Sequence, residues 1–206
     1  MTTSLIRWCG AAVAAGAAAW AVAALVAGPI EEGANSRLEL AGGFAFQVGV
    51  LCLVAALWST DATGATRWGR AVLAVQAVLL VLAMGWSVPD LFEPNMTSEG
   101  IMAALDAAWP LSMLWLIVQG ATVARARRWP APLRRLPLVA SLWFPVAILG
   151  LAAGEWPGLV VSSVWLVATY FPLGVLMAAR AEDRSADAPR SARVPDVRGV
   201  ALEGRR

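Results

Sequence analysis

Residues 71–88 read AVLAVQAVLLVLAMGWSV, a run with one side-chain amide and no charge. As a helix rising ~1.5 Å per residue, such a run covers about 27 Å, close to the ~30 Å of a bilayer's hydrocarbon core. Its flanks differ in sign. Arg67 and Arg70 precede it, whereas Pro89, Asp90 and Glu93 follow it. The stretch therefore reads as a membrane span with a basic and an acidic end.

The same pattern recurs on both sides of it. Apolar runs at about residues 8–28, 41–58, 101–124, 136–153 and 158–179 join 71–88 to make six expected spans. Hydrophobic residues form 59% of the 206-residue chain and the mean hydropathy is +0.67. A soluble domain carries ~45–50% and needs polar cover for its surface. The alternating ten-residue segments of a membrane β-barrel are absent, and lipid offers no partners to bare backbone, so helices remain. The expected fold class is all-α: a polytopic membrane helix bundle of six transmembrane helices over residues 1–180. Residues 181–206 mix Arg, Asp, Glu, Ala, Pro and Ser with few large apolar residues. They read as a disordered cytoplasmic tail whose first part extends the last span by a turn or two.

Charge sets the expected direction. Arg7, the pair Arg67 and Arg70, the group Arg125, Arg127, Arg128, Arg134 and Arg135, and the Arg residues from Arg180 onward all fall on one side of a six-span path. The other side holds Arg37 alone among basic residues, with Glu31, Glu32, Glu39, Asp90, Glu93, Glu99 and Glu155. Short Arg-rich loops stay in the cytoplasm, so both termini are expected inside and the protein in the cell membrane. Arg7 followed by an Ala-rich run also resembles a cleavable secretory signal, but the run is longer than the usual 7–15 residues of a signal core.

The composition excludes much chemistry. Without His there is no imidazole haem ligand, Ser-His hydrolysis or HExxH zinc site, and without Lys no Schiff base. No phosphate-binding GxxxxGK[ST] loop is present. Cys9 and Cys52 form no CxxC motif and read as packing residues. An enzyme is not expected, and neither a cofactor nor a metal site is read.

The candidate ligand-binding residues are Asp106, Trp109, Ser112, Gln119, Ser163 and Tyr170. Asp106 is the ionisable residue inside a span, the default mark of a site, although a carboxylate also suits a helix N-terminus. Trp109, Ser112 and Gln119 follow along one seam of the same helix, which Pro110 should kink. Ser162, Ser163, Thr169 and Tyr170 form a stripe that must face protein or water, and Gln47 and Gln76 could join that interior. Trp8, Trp58, Trp68, Trp86, Trp129 and Trp156 are placed for interfacial aromatic belts, and Trp20, Trp115, Trp143 and Trp165 lie deeper. Ala12 and Gly16 give the first span a small-xxx-small face for close helix packing. The partners expected are the bilayer itself, anionic lipid head groups at the Arg125–Arg135 loop, and a membrane protein or a second copy, with no nucleic acid.

The stretch from Trp109 through Gly120, Arg127-Arg128-Trp129-Pro130, Arg134-Arg135 and Leu142-Trp143-Phe144-Pro145 resembles six-span membrane proteins of high-GC bacteria grouped as domains of unknown function. That resemblance implies a six-helix fold and carries over no functional residue. The layout is also similar to vitamin-binding subunits of modular uptake transporters, an analogy of layout alone. The leading expectation is a non-enzymatic accessory or structural membrane protein. The alternatives are a solute-binding or transport component with a site near Asp106 and, least favoured, a membrane enzyme.

Overall fold

A computed structural model describes residues 3–29, 36–93 and 99–191, with side chains to residue 180. Among the described residues the fold is all-helical. The helices are α1 (Thr3–Ala27), α2 (Arg37–Ser59), α3 (Arg67–Phe92), α4 (Ile101–Ala126), α5 (Leu136–Ser141), α6 (Trp143–Leu151) and α7 (Glu155–Ser191). Hydroxyl caps start two of them. Ser36 Oγ accepts from the Glu39 N–H at 3.1 Å, and Thr66 Oγ1 accepts from the Gly69 N–H at 3.1 Å.

Five helices are long and apolar enough to cross a membrane: α1, α2, α3, α4 and the Glu155–Arg180 part of α7. The sixth apolar segment, Leu136–Leu151, is shorter, and a turn at Leu142 divides it. Read as one span over 136–153, it is instead two short helices covering about 24 Å. The cause is Pro145, which has no N–H to donate to the Ser141 carbonyl. The Leu142 N–H turns to Val139 O at 3.3 Å, and the regular ladder resumes with Val146 N–H to Leu142 O at 3.0 Å.

Two other boundaries move outward. Pro89 does not end α3. The helix continues to Phe92, closed by Glu93 N–H to Pro89 O at 2.9 Å, and this turn carries Asp90 inward instead of into a loop. Pro110 likewise lies inside an unbroken α4. The backbone of α7 runs to Ser191, well past residue 181, because its Ala, Glu and Arg are good helix formers. The tail expected over 181–206 is thus helical as far as Ser191, and its remainder, residues 192–206, lies outside the described residues, as do Glu31 and Glu32.

Helix α1 packs between α2 and α7 on small residues. A Cβ on Gly16 would stand 2.6 Å from the Ala45 carbonyl oxygen, and one on Gly10 would stand 2.5 Å from the Gly174 oxygen. Gly49 meets Ala12 and Val13, and Gly42 meets Trp20 and Ala23. These contacts define an antiparallel α1–α2 register in which Cys9 falls level with Cys52, and both are free thiols. A pair without a motif is thus a spatial neighbour.

The outward faces are apolar. Val22, Val26, Val78, Val81, Leu149 and Val164 are all exposed, whereas Gln47, Gln76, Ser112, Gln119, Ser163 and Thr169 are buried. This inverts the soluble pattern, as expected where lipid is the solvent. The bundle's ends differ in charge. At one end the α2–α3 and α4–α5 links meet, with Trp129 Nε1 donating to Thr60 Oγ1 at 3.1 Å. Around that contact Arg67, Arg70, Arg125, Arg127, Arg128 and Arg135 are exposed. Trp129 and Leu133 are buried beneath them, so Trp129 is a tether for the link and not part of an exposed belt. Trp8, Trp58, Trp68 and Trp156 do stand exposed.

Gly16→Leu should cost at least ~1–3 kcal/mol by overpacking against Ala45 and Phe46, and should lower the thermal midpoint in detergent. Gly85→Ala, where the added carbon meets Leu105 at an ordinary 3.8 Å, should leave it within ~0.5 kcal/mol. Copper-phenanthroline oxidation should join Cys9 to Cys52 and protect both from alkylation after denaturation. Free thiols after oxidation would refute the α1–α2 register.

Candidate ligand cavity

At the end opposite the Arg links, α1 to α4 enclose a cavity of about 190 Å³. The lining comes from one face of α2 (Glu39, Leu40, Gly43, Phe44 and Gln47), spaced at helical intervals, and from residues of the other three helices. Helix α3 contributes Trp86, Ser87 and Asp90, α4 contributes Asp106 and Trp109, and α1 contributes Trp20. Glu39 to Gln47 is eight residues, so this wall descends about 12 Å. A second cavity of about 270 Å³ lies beside it between α2, α6 and α7, and Glu39 and Glu155 line it.

Each wall has a local cause. Glu39 follows Ser36 at capping-box spacing, but only half of the box forms. Ser36 Oγ accepts from the Glu39 N–H, and no return bond runs from the Ser36 N–H to the carboxylate. The carboxylate turns to the cavity, where its Oε2 is buried without a hydrogen-bond partner. Asp90 is brought in by the turn of α3 beyond Pro89 and is 4% exposed. Asp106 lies in the second turn of α4, one turn in from the acidic end of the bundle.

Gln47 reaches the same space and is 4% exposed. Its Nε2 donates to Ser87 Oγ at 2.9 Å, and Ser87 Oγ donates in turn to Ala83 O at 3.1 Å. The single hydroxyl proton of Ser87 is committed to Ala83, so Ser87 must accept from Gln47. This fixes the amide orientation and leaves Gln47 Oε1 as a buried acceptor without a partner.

The aromatic side of the cavity is a connected cluster. Trp20 stacks edge-on to Trp109 with ring centroids 5.6 Å apart, and lies 5.0 Å from Phe46 and 4.7 Å from Trp143. Phe46 meets Tyr170 edge-on at 5.0 Å. The cavity thus rests on rings from α1, α2, α4, α6 and α7.

The six residues expected from the sequence divide. Asp106 and Trp109 come together in the cavity. Ser112 is fully buried and donates to the Trp109 carbonyl at 2.7 Å, a bond within its own helix. Gln119 is buried with Oε1 unpartnered, ten residues along α4 from Trp109 and outside the lining. Ser163 and Tyr170 are buried on α7, and Tyr170 packs on Phe46 as part of the core. The hydroxyls of Ser162 and Thr169 donate to Leu159 O and Trp165 O on their own helix, and Ser162 also lines the second cavity. Glu39, Asp90, Trp20, Trp86 and Ser87 join the lining without a sequence signal of their own, except that Glu39 and Asp90 share a position at helix ends on the acidic side. Among the described residues no group of three or more His, Cys, Asp or Glu could hold a metal ion.

No protein-family model, curated protein or solved structure matches the chain.

The bundle also contains Gln76, fully buried with neither amide atom partnered. An unsatisfied buried polar group costs ~1–3 kcal/mol, so Gln76→Leu should raise the thermal midpoint in detergent. A lowered midpoint would show that an internal water serves the amide. Gln47→Leu, which takes the donor from Ser87, should not stabilise.

Proposed function

We propose that the chain is a multi-pass protein of the cytoplasmic membrane, with both ends in the cytoplasm, that binds a small solute in an outward-facing cavity as a solute-binding or transport component. The cavity around Asp106 carries this reading. It joins charged, amide and aromatic groups from four helices, an arrangement that packing alone does not call for. No catalytic step is assigned to it.

The path of the chain supports six segments. Helix α4 ends beside the α2–α3 link, where a Cβ on Gly64 would lie 3.8 Å from the Ala126 Cβ. Helix α7 begins at the acidic end, where Glu155 and Glu39 line one cavity. Leu136–Leu151 therefore returns the chain along the bundle, short as it is. The antiparallel contact of Gly10 with Gly174 and Ala178 brings the start of α1 beside the Arg180 end of α7. Arg-rich links at that end place it in the cytoplasm by the positive-inside rule. The exposed Arg side chains of the α4–α5 link meet anionic head groups there, at ~1 kcal/mol each near the surface.

Gly10 and Gly16 face α7 and α2 within the bundle, so packing inside the chain already accounts for these small residues.

Reporter fusions should place the C-terminus and the α4–α5 link inside and the α3–α4 link outside. Native mass spectrometry of protein extracted gently from its own membrane should show a small molecule that is lost in Asp106→Asn. A protein partner with no small molecule would replace this reading with the accessory one.

A further inference from the structure

We propose that the cavity takes a small organic cation with an N–H-bearing ammonium head on an apolar, preferably aromatic, body; this rests on the solute-binding reading above. The carboxylates of Glu39 and Asp106 line one space of about 190 Å³, and among the described residues no basic side chain lines it. Arg37, the nearest cation in sequence, is exposed at the start of α2 and is not part of the wall. Like charges around a space partly withdrawn from water repel, and a cation between them reverses the sign of that interaction.

Unpartnered acceptors add to the charge. Gln47 Oε1 and Glu39 Oε2 are buried and unpartnered, and both are acceptors. The Ser87 network fixes Gln47 with its oxygen as the free end. What these two atoms need is a donor, and an ammonium supplies three N–H groups and a charge together. A carboxylate or phosphate ligand would find the indole N–H donors of Trp20, Trp86 and Trp109, but it would also face two carboxylates, and charge decides against it. The rest of the lining suits the body of such a molecule. Trp20, Phe44, Trp86 and Trp109 offer apolar surface, and indole faces attract cations. The volume limits the ligand to about the size of one ring with a short side chain.

The test uses the full chain in nanodiscs with phenethylammonium, its neutral analogue 2-phenylethanol, its N,N,N-trimethyl derivative and phenylacetate, read by calorimetry. Phenethylammonium should bind at least about tenfold more tightly than the alcohol, and phenylacetate should not bind. Asp106→Asn and Glu39→Gln should each weaken phenethylammonium about tenfold or more without altering the thermal midpoint of the ligand-free protein. The trimethyl derivative should bind more weakly than the primary amine; equal binding would overturn the role of Gln47 and Glu39 as acceptors. If the alcohol or phenylacetate binds as well as the amine and Asp106→Asn still matters, the cationic class is wrong and the solute-binding reading survives. If none of the probes binds, the class is again wrong. The extract from the native membrane then separates the cases: an uncharged or anionic small molecule lost in Asp106→Asn leaves the solute reading standing, and lipid alone removes both.

Discussion

The close approach of α1 to α2 and α7 is the constraint on which the other features depend. Glycines at positions 10, 16, 42, 49 and 174 bring backbones into contact where any side chain would collide. In a lipid solvent no hydrophobic force distinguishes one apolar face from another, so close backbone packing decides which helices meet. Once α1 is seated, its register places Trp20 over the cavity and Cys9 beside Cys52. There Trp20 joins Phe46, Trp109 and Trp143 in one aromatic cluster.

Tryptophan has a second use. Trp115 Nε1 donates to Val72 O at 3.0 Å, Trp143 Nε1 to Ser162 O at 3.0 Å, and Trp165 Nε1 to Val139 O at 3.1 Å. Each bond joins two helices through a carbonyl that has lone-pair capacity to spare. In a medium without water an unpaired indole N–H is costly, and an interhelical carbonyl satisfies it while holding the pair in place. Two of these bonds flank the turn at Leu142 and tie its halves to α7. The break in the ladder is thus splinted from outside.

Much of the fold was legible because its signal is one-dimensional. Runs such as 71–88 reveal themselves by length and by what they lack, and the segregation of Arg from Glu and Asp follows the chain directly. The misreadings share a cause. Pro89 and Pro145 have the same local chemistry, yet the first is absorbed near the end of α3 and the second divides a segment. Which occurs depends on how much helix remains and on what neighbours can brace it. The site was half legible for a similar reason. Asp106 betrayed itself as a charge inside an apolar run. Glu39 and Asp90 sit at helix ends, where carboxylates are unremarkable, and only the meeting of four helices turns them toward one space. The Gln47–Ser87 bond joins residues forty apart in sequence, beyond the reach of periodicity.

The short, divided segment has a consequence for how the bundle sits in lipid. At about 24 Å, Leu136–Leu151 falls short of a ~30 Å hydrocarbon layer and is a poor candidate to enter a bilayer alone. It is joined to α7 by a tight turn at Gly154, and a Cβ on Gly150 would stand 3.0 Å from the Gly158 Cα. Such contact pairs α6 with α7 as a close hairpin, so a segment too short to cover the hydrocarbon layer alone is held against a long apolar neighbour that supplies the missing cover.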